Sequence, residues 1–252
     1  MPFNAFDFQI VALLLAVVIF GAAERLWPAH RVDHGKDFAV DLLSFVFALG
    51  ANRAANRLIR PPLEDLPPEF LQQVLGWLQS LSSPARVVLA LVLSDFVIYW
   101  IHRAQHSFPI LWRTHAWHHS VEQMYWFAGF RTSFFHSLFN NIPQAFFGVV
   151  VFRFGPAEIA AGYCLGIAVQ FIDHTNWKLS LGPLNRLLVT PDYHRIHHAA
   201  SLHRGKNLAG VFRIWDILFG TYVDPETAER GFALGLDEQV ERKRIPRLLA
   251  GL

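Results

Sequence analysis

The stretch Ser94–His119, SDFVIYWIHRAQHSFPILWRTHAWHH, passes without a break from apolar chain into two histidine clusters, His102-x3-His106 and His115-x2-His118-His119. A third cluster, His194-x2-His197-His198, lies further on. On a helix, residues three and four apart share a face, so each spacing aims two or three ring nitrogens at a common point. Neutral imidazole is the commonest side-chain ligand for borderline metals such as iron, zinc and copper. Eight clustered histidines are too many for one tetrahedral zinc and suit two metals.

Outward from this stretch the chain is unusually apolar. It has 252 residues and 17% charged side chains, against roughly 25% in ordinary soluble domains, and a mean hydropathy of +0.27. Phe8–Trp27, Val40–Ile59, Val87–Ile101, Leu138–Phe154 and Ile159–Ile172 are candidates to span or deeply enter a bilayer of roughly 30 Å. The first is the cleanest; Arg53 and Arg57 polarise the end of the second, and the last three are short for full spans. Asp7 precedes the first segment and no Lys or Arg does, so it reads as a retained helix rather than a signal peptide. The expectation is an all-α integral membrane protein with about four transmembrane helices. A cytoplasmic helical cap would hold a histidine-rich dimetal site.

Charge placement sets the expected orientation. A net charge of +2 gives no reason to expect nucleic acid. The Pro-rich connector at residues 60–84 carries Glu64, Asp65 and Glu69 and, after Arg60, no Lys or Arg. The regions around His102–His119 and after His174 are basic, which places the clusters and the C-terminus on the cytoplasmic side. Pro61, Pro62, Pro67 and Pro68 mark an external loop, followed by a short surface helix over Phe70–Leu81. Trp100, Trp112, Trp117 and Trp126 read as an interfacial belt, Gly155-Pro156 as a hairpin turn, and Thr190 or Asp192 as a helix cap. Gln239–Leu252 reads as a basic amphipathic tail, lying on lipid or solvated. The lone Cys164 reads as a small buried hydrophobe.

Each of two metals would take about four of the eight histidines, and His174, where the hairpin returns, is a natural ninth ligand. A set almost free of carboxylates leaves metal charge uncompensated, which makes the oxidised state a strong oxidant suited to unactivated C–H bonds. Metal-bound histidines usually give their other N–H to a carboxylate or carbonyl; Asp95, Asp173 and Asp192 are candidates, and Gln170 could reach the same site. His136 reads as a core histidine first, or as a residue behind the ligands or on the substrate side, and Arg131 as a partner of Asp173, a lipid head-group contact or a snorkelling interfacial arginine. His30-x3-His34 and His203 read as polar or exposed residues.

The region Asp95–Tyr222 resembles the fatty acid hydroxylase / sterol desaturase superfamily of membrane-bound di-iron oxygenases. The resemblance is carried by D95-F-x-x-Y99-W100-x-H102-R103-x-x-H106, L111-W112-x-x-H115-x-x-H118-H119-S120, T190-P191-x-x-H194-R195-x-H197-H198 and W215-D216-x-x-F219-G220-T221-Y222. It implies a four-helix membrane scaffold under a cytoplasmic cap holding two irons, and O2-dependent hydroxylation or desaturation of a fatty acyl, sterol-like or ether lipid. It carries over His102, His106, His115, His118, His119, His174, His194, His197 and His198 as ligands. Some fatty acid hydroxylases in the family have a second histidine four residues before the equivalent of His174; Gln170 stands there, which leaves a tenth ligand open. The chain is similar to the branch with sterol C5-desaturase-like proteins and alkylglycerol monooxygenase. No His-Pro-Gly-Gly signature occurs, so electrons are expected from a separate b-type cytochrome, ferredoxin or flavoprotein reductase.

The expected organisation is membrane helices and external loop over 1–94, a di-iron domain over 95–222 and a cytoplasmic tail over 223–252. The competing class is a membrane metal-binding or metal-transport protein without oxygenase activity. Its ligands should line a path midway along membrane helices, whereas these lie at helix ends. A zinc hydrolase is weaker still, since HExxH is absent.

Overall fold

Pro109 decides how the histidine-bearing stretch folds in the computed structural model. Helix α4 (Ser83–Ser107) ends against Phe108, whose backbone is extended, and Pro109 opens α5 (Pro109–His119). The ring disfavours helix at the preceding residue and is pre-set for a first helical turn. The chain therefore breaks and restarts, bringing the second cluster back onto the first.

The structure describes residues 5–64, 68–200, 205–229, 231–236 and 244–252. Among these the fold is all-α: α1 (Ala5–Leu26), α2 (Phe38–Glu64), α3 (Pro68–Gln79), α4, α5, α6 (Phe134–Ala145), α7 (Pro156–His174), α8 (Pro191–His197), α9 (Ile214–Phe219) and α10 (Ile245–Ala250). Extended pairing among the described residues is limited to isolated bridges such as Leu188 with Phe212. Helix α1 packs along α7, α2 along α6, and α4 against α5, α6 and α7.

The long helices turn small and polar residues inward. Helix α2 buries Asp41, Ser44, Ala48, Ala51, Ala55 and Ile59 at helical spacing, while Leu42, Leu43, Val46, Leu49 and Leu58 are exposed. Helix α1 likewise buries Ala16, Phe20 and Ala23 and exposes Leu14, Leu15, Val18 and Ile19. Small residues at the contact and large apolar ones outside are what helices surrounded by lipid require. Among the described residues, two helices, α2 and α4, are long and apolar enough to cross a membrane.

Several expectations need correction. Pro61 and Pro62 lie inside the end of α2 rather than in a loop; Pro67 is outside the described residues, and Pro68 opens α3. Leu138–Phe154 is not one regular segment, because α6 gives way after Pro143 to a π-helical turn at Phe146–Val151. Proline lacks the N–H that would close the ladder there. The hairpin turn is as expected: Pro156 occupies the first turn of α7, and the Gly155 N–H donates to Glu158 Oε2 at 2.7 Å. The tryptophans do not form one belt. Trp100 is exposed, Trp117 is buried under the Arg131 guanidinium, and Trp126 stacks on Phe171. Of the tail expected over Gln239–Leu252, the described part, α10, packs on α5 and α6 with Leu249 buried, while Pro246 and Arg247 are exposed.

A candidate two-centre histidine site

The last two turns of α4 present His102 and His106, α5 presents His115, His118 and His119, α7 ends on His174, and α8 presents His194 and His197 with His198 as its C-terminal cap. All nine residues expected to converge do so. Their ring nitrogens form two groups: His102, His106, His115, His119 and His197 in one, His118, His174, His194 and His198 in the other, with the atoms of each group within 4.8 Å of one another.

The repeated HxxHH pattern has a geometric reason. In α5 the i and i+4 pair, His115 and His119, joins the five-histidine group, and His118 crosses to the other. In α8 the i and i+4 pair, His194 and His198, joins the four-histidine group, and His197 crosses. Each motif thus serves both groups in opposite proportion, and the His119 and His198 rings stack between them at 4.5 Å.

Backbone carbonyls hold four of the nine outward nitrogens. The Nδ1 atom of His102 lies 2.7 Å from the Leu208 carbonyl, that of His197 3.0 Å from Lys206, that of His118 3.1 Å from Arg131 and that of His174 3.1 Å from Gln170. A carbonyl only accepts, so each of these rings keeps its proton on Nδ1 and turns the Nε2 lone pair inward.

The carboxylates act one step further back than expected. Asp216 accepts from the backbone N–H groups of Leu208 and Ala209 at 2.8 and 2.7 Å, and from the hydroxyls of Thr221 and Tyr193 at 2.6 and 2.5 Å. Asp95 accepts from the Val211 and Phe212 N–H groups and the Trp215 indole, each within 2.9 Å. Both therefore pin the segment whose Leu208 and Lys206 carbonyls orient His102 and His197. Asp95 does not touch a histidine, which corrects its expected role.

The other candidates divide. The Gln170 side chain donates to the Gly129 carbonyl at 2.5 Å rather than facing the histidines, and only its backbone carbonyl meets His174. Asp173 is buried without a hydrogen bond to any of the nine. Asp192 is exposed on the first turn of α8, near Arg195. At Thr190, the expected cap, the hydroxyl accepts from Arg213 at 2.7 Å and caps nothing. Arg131 pairs with Asp41 at 2.5 Å and Asp37 at 3.2 Å, not with Asp173. His30 and His34 stand apart from both groups, His34 against Tyr125; His203 lies outside the described residues.

Gly129 gains a role that the sequence did not single out, and His136 proves to stand behind the ligands. Gly129 approaches His174 so closely that a Cβ there would sit 2.6 Å from the ring. His136 stacks over both His115 and His118, with ring centroids at 4.6 and 5.4 Å. Asp216 was visible only as part of a motif, although a lone carboxylate among Trp215, Ile217, Leu218 and Phe219 signals a buried acceptor.

Burial, and secondarily the neighbouring imidazoles, holds His115, His118, His119, His194, His197 and His198 well below the usual imidazole range. They are neutral near pH 7, as ligation requires. Inward Nε2 atoms stand 2.8 Å apart for His102 and His115, 3.0 Å for His119 and His197, and 3.1 Å for His118 and His198. Two lone pairs at that spacing repel unless a proton or a metal ion lies between them. With metal–nitrogen bonds of about 2.1 Å, ligands at right angles lie about 3.0 Å apart, so the donor set fits two metal ions.

The family model described as Fatty acid hydroxylase matches residues 87–221. An alkylglycerol monooxygenase from Xenopus tropicalis is 36% identical over 130 residues, 51% of this chain and 28% of the relative. An ornithine lipid hydroxylase from Rhizobium tropici is 34% identical, with 56% of this chain and 42% of the relative covered. A putative Delta(7)-sterol-C5(6)-desaturase from Arabidopsis thaliana is 28% identical over 58% of this chain and 51% of its own. The chain thus spans a quarter to a half of these relatives' lengths. No solved structure matches it.

Proposed function

Because this chain belongs to the fatty acid hydroxylase family, we propose that it is a membrane-bound di-iron oxygenase that hydroxylates or desaturates a lipid. The observation that carries the reading is the pair of adjacent nitrogen groups, five and four histidines, gathered where the apolar helices α4 and α7 end. The nine histidines would hold two irons, which would supply O2 activation and C–H oxidation. Hydroxylation balances as R–H + O2 + 2 electrons + 2 protons giving R–OH + water. Desaturation uses the same inputs, removes two hydrogens from adjacent carbons and releases two waters.

The protein's own residues keep the ligands in one tautomer through backbone carbonyls. They keep them neutral by burial and set them at the end of helices that expose large apolar side chains. In this reading the remaining long helices complete a membrane scaffold of about four spans, with a cytoplasmic cap over the irons. A separate electron-transfer protein delivers the two electrons. Substrate classes are those named for the relatives: alkylglycerols, ornithine lipids and Delta(7)-sterols.

The test is iron-loaded protein in detergent with a chemical reductant, O2 and a panel of alkylglycerol, ornithine lipid and sterol, read by mass spectrometry. A product heavier by one oxygen or lighter by two hydrogens supports the proposal. Reduced, iron-loaded protein that consumes no O2 with any of them counts against it.

A further inference from the structure

We propose that His136, at the start of α6, is a positioning residue that fixes the tautomer of His115 and thereby the five-histidine group; this rests on the reading of that group as a metal site. Four of the inward-facing rings give their outer nitrogen to a backbone carbonyl. His115 is different. Its Nδ1 lies 2.9 Å from Nδ1 of His136, a ring nitrogen that can either donate or accept. If His136 donated there, His115 would carry its proton on Nε2, pointing at His102 and His119, and would be lost as a ligand. The tautomer of His136 therefore decides whether His115 can bind.

The surroundings decide it through a chain of fixed donors. The Thr114 hydroxyl donates to the Leu111 carbonyl at 2.7 Å, so its oxygen is left to accept. Gln105 meets that oxygen at 2.9 Å with its amide nitrogen, which sets the orientation of the amide. The same nitrogen lies 3.4 Å from Nδ1 of His136. With a donor on that side, Nδ1 of His136 carries the lone pair, and the His115 N–H donates into it. The His136 proton then sits on Nε2, which lies 2.8 Å from the Asn140 Nδ2; this tautomer requires a half-turn of the Asn140 amide that exchanges its nitrogen for its oxygen at that position, an assignment set by the network. The ring is located by Ser133, whose hydroxyl donates to the Thr114 carbonyl at 2.5 Å and accepts from the His136 backbone N–H at 3.1 Å.

The test isolates the five-histidine group. In a His198→Ala background, detergent-purified apoprotein is titrated with Co2+ and followed by its visible absorption. Adding His136→Leu removes the acceptor and should weaken cobalt binding about 10–100-fold, as loss of such a partner does elsewhere. Adding His136→Asn instead, whose side-chain oxygen reaches the position of Nδ1, should restore the parental affinity and spectrum. Equal cobalt affinity for the Leu and parental proteins would overturn the proposal, as would an Asn variant no better than Leu when both melt alike. Failure of the His198→Ala parent and the unsubstituted protein to bind cobalt would instead overturn the metal-site reading itself.

Discussion

His118 and His119 are neighbours in the chain, yet their Nε2 atoms serve different groups: His118 lies 3.1 Å from His198 and His119 lies 3.0 Å from His197. Adjacent residues on a helix diverge by about 100°, so a doubled histidine is a fork that reaches two centres at once. The fork on α8 mirrors it, His197 and His198 returning to the same two partners.

His118→Ala and His119→Ala should therefore differ. The first leaves three histidines in its group and the second leaves four in the other. Metal analysis should show His118→Ala holding a single ion, in the five-histidine group, and His119→Ala holding both, one more weakly. Equal loss of both ions from both variants would mean that the two groups do not bind independently.

Gly129→Ala places a methyl 2.6 Å from the His174 ring, which Gln170 and its own helix hold in place. Something must move, and overpacking of this kind costs about 1–3 kcal/mol. We expect a lower melting temperature together with loss of metal from the four-histidine group. An Ala variant with unchanged metal content would show that His174 is not held where it stands.

Asp216→Asn keeps the size but removes a charged acceptor of four hydrogen bonds. Each charge-assisted bond is worth about 1.5–3 kcal/mol, so destabilisation well above that of a surface change is expected. Because the pinned segment carries the Leu208 and Lys206 carbonyls, the variant should also retain metal poorly at the five-histidine group. Thermal unfolding and cobalt titration measure the two effects separately.

Acid should release metal and destabilise the apoprotein over one pH window. Burial lowers the folded-state values of His115, His118, His119, His194, His197 and His198 below the ordinary 6.5. Below that value the unfolded chain binds more protons than the folded one, so stability is full above pH 6.5 and falls as pH drops further. Chemical unfolding at several pH values checks the sign; apoprotein stability rising below pH 6 would contradict it.

Much of the site was legible in the sequence because histidine spacing and helix geometry are both short-range. His102 through His119 and His194 through His198 needed only the helical period, and His174 only the return of the hairpin. The supports were less legible because they depend on contacts across the chain. Asp95 was expected at a histidine because a carboxylate deep in an apolar helix needs a partner; that partner is the backbone of residues 211 and 212, more than 100 positions away. Arg131, by contrast, meets Asp41 and Asp37 near the start of α2, a pairing that no local pattern signals. Membrane helices were read from hydropathy, but the ends of α2 and α6 were misjudged where prolines continue or loosen a helix rather than stop it.

Metal content of the detergent-purified protein, reconstituted with Fe2+ under anaerobic conditions, tests the central claim most directly. The account predicts two irons per chain, one for each histidine group, with His197→Ala weakening one and His118→Ala removing the other. A chain that binds one iron or none, or whose iron is indifferent to both substitutions, would contradict a shared di-iron site.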